Sequence, residues 1–138
     1  MPNILEQIIQ NKKDTLNLIK KNYSLNSLEK KIKSLDFFYN FKQAIQNNKG
    51  ISLITEIKKA SPSAGIIVKD FNHLNIAEKY IKNGATCLSV LTEEKYFLGN
   101  LKQIQDIKKD YKIPILAKDF FIDPYQVTLS KSYGCDCI

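Results

Sequence analysis

From Gly50 onward, short apolar runs alternate strictly with amphipathic segments of helical period, and that rhythm leaves few folds open. The run GISLITEI (50–57) opens at a glycine and suits a buried strand. HLNIAEKYIKNG (73–84) sets Leu74, Ile76, Ala77, Tyr80 and Ile81 at helical spacing, with Gly84 where a C-terminal cap glycine belongs. TCLSVLT (86–92) reads as a second strand, and Leu101, Ile104 and Ile107 mark a second helix ending near Tyr111. IPILAKDF (113–120) is a third strand, with Pro114 tolerable only near its start. Asp123 is placed to cap a third helix carrying Pro124 in its first turn; Gly134 closes that helix and CDCI begins a fourth strand. Strict alternation predicts an α/β protein, a parallel sheet with its helices outside. The repeat of about thirty residues suits the (β/α) units of a barrel or of a doubly wound sheet.

The residues before Gly50 follow another pattern. Ile4, Leu5, Ile8, Ile9, Leu16 and Ile19 have helical spacing, and after a break at 22–26 so do Leu28, Ile32 and Leu35. Ser27, with Lys30 three residues on, makes a weak capping box, but a serine or asparagine there can still cap the second piece. Phe37, Phe38, Tyr39 and Phe41 form an aromatic cluster suited to docking this segment on the rest. Asn47-Asn48-Lys49-Gly50 is a turn signal, dividing a helical extension (1–48) from the alternating region (49–138).

At 138 residues the chain is long enough for one domain with a real core and too short for two of ordinary size. No apolar run has the length needed to cross a bilayer, and MPNILEQIIQNKKD lacks the apolar region of a signal peptide, so a cytoplasmic protein without a membrane partner is expected. The net charge of +7 invites a nucleic-acid reading, but all 21 basic residues are lysine. Arginine is the preferred group for bidentate phosphate and base contacts, so no nucleic-acid partner is expected. The scattered pairs, Lys12-Lys13 among them, read as solvated helix surface that also draws small anions. Cys87, Cys135 and Cys137 are odd in number and lack CxxC spacing; with a single histidine in the chain, they read as buried free thiols rather than a metal site.

Charge collects where strands end: Glu56 and Lys58 after the first, Glu93 to Lys95 after the second, Lys118 and Asp119 after the third. In a barrel, that face carries the chemistry. Alternation along a strand puts Ile54, Glu56 and Lys58 on one face and Ile57 and Lys59 on the other. Lys118 shares a face with Leu116, which aims its ammonium into the mouth of the sheet. Two lysines near one carboxylate favour an anionic small molecule and offer both acid and base capacity; the plainer alternatives are a structural ion pair and a lysine reaching out to water. Ser61-Pro62-Ser63 with Gly65 is a small polar turn able to wrap a ligand, and Phe97 stands on the same rim, where it can wall an aromatic ring. No GxGxxG or GxxxxGK[ST] is present, which disfavours dinucleotide and P-loop readings.

The segments EIKKASPSAG (56–65), SVLTEEKYFLG (89–99) and LAKDFFIDPYQV (116–127) resemble indole-3-glycerol-phosphate synthase, and ILEQIIQNKKDTL resembles that family's extra N-terminal helical segment. The resemblance implies the N-terminal part of a (β/α)₈ TIM barrel, about three and a half β/α units, behind a helical extension. It implies ring closure, decarboxylation and dehydration of 1-(2-carboxyphenylamino)-1-deoxyribulose 5-phosphate to indole-3-glycerol phosphate, with no metal or organic cofactor. Lys118 matches the family's general acid, Lys58 the lysine that contacts the substrate carboxylate and shares in proton transfer, and Glu56 the carboxylate that orders them. Ser61, Pro62, Phe97 and Phe120 match the pocket for the anthranilate ring and its carboxylate. The family's barrel has eight strands, and this sequence stops at Ile138, inside the fourth. A truncated frame, inactive by itself, is therefore expected. The alternative is a non-catalytic half-barrel module that pairs with a separate C-terminal half or with itself through open strand edges. Phosphoribosylanthranilate isomerase, another phosphate-handling barrel, fits less well, because the EIKKASPS loop is foreign to it.

Overall fold

The computed structural model describes residues 3–138. Helix α1 (Ile4–Asn22) starts at a reciprocal capping box: Asn3 Oδ1 accepts from Glu6 N, and Glu6 Oε2 accepts from Asn3 N, each at 2.9 Å. Its inner stripe is Ile8, Lys12 and Leu16, four residues apart. Helix α2 (Leu25–Lys33) is capped by Ser24, which accepts from the backbone of Ser27. The cap thus lies three residues before the serine the sequence suggested, because Tyr23 already leaves helical geometry. A short helix α3 (Phe41–Gln46), capped by Asn40, begins at the last residue of the aromatic cluster and was not foreseen.

Strand β1 (Ile54–Ile57) is half the length of the apolar run that announced it, and Ile51 is 96% exposed. A small antiparallel hairpin, β2 (Ala60–Ser61) with β3 (Gly65–Ile66), occupies the polar turn. Then come α4 (His73–Lys82), β4 (Cys87–Leu91), α5 (Leu101–Asp110), β5 (Ile115–Lys118) and α6 (Tyr125–Ser132). The main sheet runs β1–β4–β5, parallel throughout, and Cys137 bridges Leu116 in parallel as the next strand begins. Gly84 and Gly134, at φ +90° and +91°, turn the chain out of α4 and α6 as C-terminal cap residues. Right after α4 and α6 the chain re-enters the sheet region, the arrangement of a partial (β/α) barrel.

Register sorts the side chains by face. Thr55 and Ile57, Leu88 and Val90, Ile115 and Ala117 point to the helices, and most of them pack with Ala77, Ile104 and Ile107 into the main core. Ile54 and Glu56, Cys87, Ser89 and Leu91, Leu116 and Lys118 point the other way. At the outer strand that second face is open, with Ile54 47% exposed. A second cluster, Leu16, Leu28, Tyr125 and Leu129, joins α1 and α2 to α6.

The aromatic cluster docks as expected, through one carboxylate. Asp136, whose side chain is fully buried, accepts from Lys108 Nζ at 2.8 and 2.9 Å, from the backbone N–H of Ile115 at 2.8 Å and from that of Tyr39 at 2.6 Å. Lys108 Nζ lies 4.2 Å from the centroid of the Tyr39 ring, and Phe37 meets that ring edge-on at 4.7 Å. Cys87 and Cys135 are buried free thiols, as expected, but Cys137 is only half-buried because it lies on the sheet's last edge. Burial, reinforced by the charge of Asp136, pushes the Cys135 thiol up to about 12.

Two outcomes follow. Asp136→Ala leaves Lys108 buried without its counter-charge and is expected to lower stability by about 3–5 kcal/mol, read from the urea midpoint. A disulfide-based thiol reagent at mildly alkaline pH should titrate one cysteine quickly in the native chain and all three in denaturant, with Cys137→Ser removing the fast phase.

Candidate active site

Three of the strand-end charges singled out by the sequence meet at one point. Glu56 Oε1 lies 2.8 Å from Lys58 Nζ, and Glu56 Oε2 lies 2.6 Å from Lys118 Nζ. Glu56 and Lys118 belong to strands separated by β4, so their side chains must cross it. The residue beside Glu56 in the register is Ser89, small enough to leave the crossing open. Lys118 stands beside Leu91, one row nearer the strand ends, and Lys58 follows β1 in the same direction. Both lysines therefore reach back to a carboxylate set below them.

Partial burial pushes the Glu56 carboxyl upward, but the hydrogen bonds and positive charges of Lys118 and Lys58 outweigh it and hold it below the usual glutamate range. The group is thus an anion at neutral pH, framed by two ammonium groups, with a surplus of one positive charge at the mouth. Lys118 is the most exposed of the three, with 55% of its side chain open to solvent.

The aromatic rim is carried by the segments that follow β4 and β5. Phe97 and Phe120 face each other at 6.1 Å between centroids, tilted by 43°. Phe97 is held by a loop that Glu93 organises: its buried carboxylate accepts from the backbone N–H groups of Lys95, Tyr96 and Phe97 at 3.2, 2.6 and 3.1 Å. Gly99 closes this loop so tightly that a Cβ there would lie 2.1 Å from the Leu91 carbonyl oxygen. Ser61 and Pro62 sit on the β2–β3 hairpin. Ser61 Oγ accepts from Ala64 N at 3.2 Å, and Gly65, at φ +64°, completes the turn. Among the described residues, no hydrogen bond joins Ser61 to the triad.

Two of the strand-end charges do not face the mouth. Glu93 is spent on its loop, and Asp119 turns away into a contact with α1. Asp119 Oδ1 is 2.8 Å from Lys12 Nζ, its Oδ2 accepts from Thr92 Oγ1 at 2.9 Å, and its Oδ1 also accepts from Phe120 N at 2.7 Å. Lys12 is therefore not the solvated surface lysine that its place in a Lys-Lys pair suggested. Its position between Ile8 and Leu16 on one helical stripe is the signal that marks it as inward. Among the described residues, no group of three or more His, Cys, Asp or Glu side chains is arranged to hold a metal ion.

The sequence model described as indole-3-glycerol phosphate synthase matches residues 5–138. Among curated proteins, the indole-3-glycerol phosphate synthase of Alkaliphilus metalliredigens is 47% identical over 135 residues, covering 98% of this chain and 52% of the relative. The protein of the same name from Aliarcobacter butzleri is 44% identical over 138 residues, with 98% and 52% covered. That of Endomicrobium trichonymphae is 48% identical over 101 residues, with 73% and 39% covered. The chain spans about half the length of the first two of these relatives.

The triad makes a titration testable. Because the folded Glu56 is held below its unfolded value, its ion pairs contribute stability above the unfolded value and lose it as pH falls through the folded one. The ¹³C carboxyl signal of Glu56 should therefore titrate below an ordinary glutamate. Lys118→Met should move that midpoint upward, and an unmoved midpoint would show that the contact does not persist in solution.

Proposed function

The chain belongs to the indole-3-glycerol phosphate synthase family, and we propose that it furnishes the general-acid part of that family's active site. The observation that carries this reading is the meeting of Glu56, Lys58 and Lys118 at the strand ends, with the Phe97–Phe120 pair on the segments that follow β4 and β5.

The substrate is 1-(2-carboxyphenylamino)-1-deoxyribulose 5-phosphate, an aromatic amine bearing a carboxylate and a phosphate. Its aromatic ring lies against Phe97, Phe120 and Pro62, and its carboxylate meets Lys58 with help from Ser61. The ring carbon bearing the carboxylate attacks the ketone carbon, and Lys118 donates a proton to the ketone oxygen as the carbon–carbon bond forms. The electron pair of the departing carbon dioxide restores the aromatic ring. Lys118, reprotonated from solvent, gives a second proton to the new hydroxyl, which leaves as water; the methylene carbon beside the nitrogen passes its proton to the lysine amine so freed, and the pyrrole double bond forms. Glu56 keeps both ammonium groups aimed at the mouth. Each step is a proton transfer, an addition or an elimination, within reach of ammonium and carboxylate groups, so the reading calls for no cofactor.

Relatives about twice as long support a reading in which further strands complete the barrel, packing on the uncovered face around Ile54. That complementary half and the anionic substrate are the proposed partners, in the cytoplasm. Among the described residues, no helix is long and apolar enough to cross a membrane.

The test joins residues 1–138 to the remaining portion of the Alkaliphilus metalliredigens protein and follows indole fluorescence from the carboxyphenylamino-deoxyribulose phosphate. Turnover is expected in the chimera and not in the 138-residue chain alone. Lys118→Ala should cut kcat by about 10²–10⁴-fold, and Lys58→Ala should raise KM as well. A chimera without turnover, or one indifferent to Lys118→Ala, overturns the reading.

A further inference from the structure

Lys118 has little to hold it. More than half of its side chain is exposed, it has four rotatable bonds, and Glu56 is its ion-pair partner. Its direction is therefore set by the backbone at the end of β5, and that backbone is pinned from the opposite face. Asp119 follows Lys118 directly, so the pleat sends its side chain away from the mouth. There its carboxylate, 10% exposed, takes Lys12 Nζ, Thr92 Oγ1 and the N–H of Phe120. Thr92 N also donates to the Lys118 carbonyl at 3.0 Å. Rotation of the strand end about its own axis would break the contacts with Lys12 and Thr92 together.

The same contacts reach the aromatic rim. Phe120 is the residue after Asp119, and Thr92 precedes Glu93, which caps the loop carrying Phe97. The Asp119 carboxylate thus joins the ends of β4 and β5, and a single ammonium on α1 holds it in place. A buried ion pair of this kind is poor evidence of stabilisation, because desolvation offsets much of the attraction. What it does supply is fixed geometry.

We propose that Lys12 and Asp119 are positioning residues: the buried pair between α1 and the end of β5 keeps Lys118 within reach of Glu56 and Phe120 facing Phe97. The inference deepens the reaction proposed above and takes its catalytic meaning from it. Its test needs no turnover, so the two can fail separately.

The measurement is NMR on the 138-residue chain with lysines labelled with ¹³C at Cε, with Lys118 and Lys58 assigned by their arginine variants. Acid titration of Glu56 should move both signals in the parent. In Lys12→Met the Lys118 movement should fall to less than half, while that of Lys58, next but one to Glu56 in the chain, stays. Lys12→Arg should restore it. Thr92→Val, which strands no charge, should weaken the Lys118 movement in the same sense and decides the matter where Lys12→Met fails to fold. Equal loss of both movements, or unchanged movement of Lys118 in a variant whose melting temperature has fallen, overturns the proposal and leaves the pair a structural one.

Discussion

The carboxylate of Asp136 is the junction on which the arrangement depends. It sits on the chain segment that follows α6, and it takes donors from α5, from the start of β5 and from the segment that carries the aromatic cluster. A buried anion is tolerated only when its lone pairs are met, and three donor groups making four hydrogen bonds to its two oxygens meet them. With that cost offset, the site ties the docking of the N-terminal segment to one contact, the bond from Tyr39 N to Asp136 Oδ1. The Lys12–Asp119 pair does similar work at the other end of the sheet. The helical extension is thereby tied to the strands at both ends, and α1 lies against the strand ends that carry the site.

From this frame the electrostatics of the mouth follow. Strand parity brings Glu56 and Lys118 to the open face, and the small Ser89 between them lets the pair close across the central strand. A bulkier residue at that register position would part them and leave Lys118 to water, while Lys58 kept its oxygen of Glu56. The surplus positive charge is local, built from two lysines and one carboxylate, and is distinct from the +7 spread over the chain. Long-range attraction of anions draws on the whole surface, whereas orientation of a bound carboxylate draws on the pair alone.

The alternation of strand and helix was legible because a parallel sheet buries its strands as short apolar runs and its crossovers keep a 3.6-residue period. The triad was legible for a related reason: parity along a strand is fixed, so Glu56, Lys58 and Lys118 could be assigned a face before any pairing was known. Residues whose role depends on tertiary partners were not. Lys12 is one of 21 lysines, and only its place on the Ile8–Leu16 stripe distinguishes it. Glu93 and Asp119 stand at strand ends, as site carboxylates do, yet their oxygens are filled by backbone and α1 donors. The hairpin at Ser61 and the short helix after Asn40 have two-residue strands and six helical residues, too few for a periodic signal.

The state of Glu56 narrows its part in the proposed chemistry. A general base near neutrality works best with a proton affinity matched to the working pH, and a carboxylate held below the ordinary range is far from that match. Its value lies in remaining charged. Each oxygen engages one ammonium, so the two lysines are kept apart by a shared anion rather than repelling across an empty mouth. An incoming substrate carboxylate can draw Lys58 forward while Lys118 keeps its own oxygen of Glu56, because the two contacts use different oxygens. In the proposed reaction the two lysines hold separate tasks, one binding and one donating, and the division rests on a carboxylate that is proposed to transfer no proton.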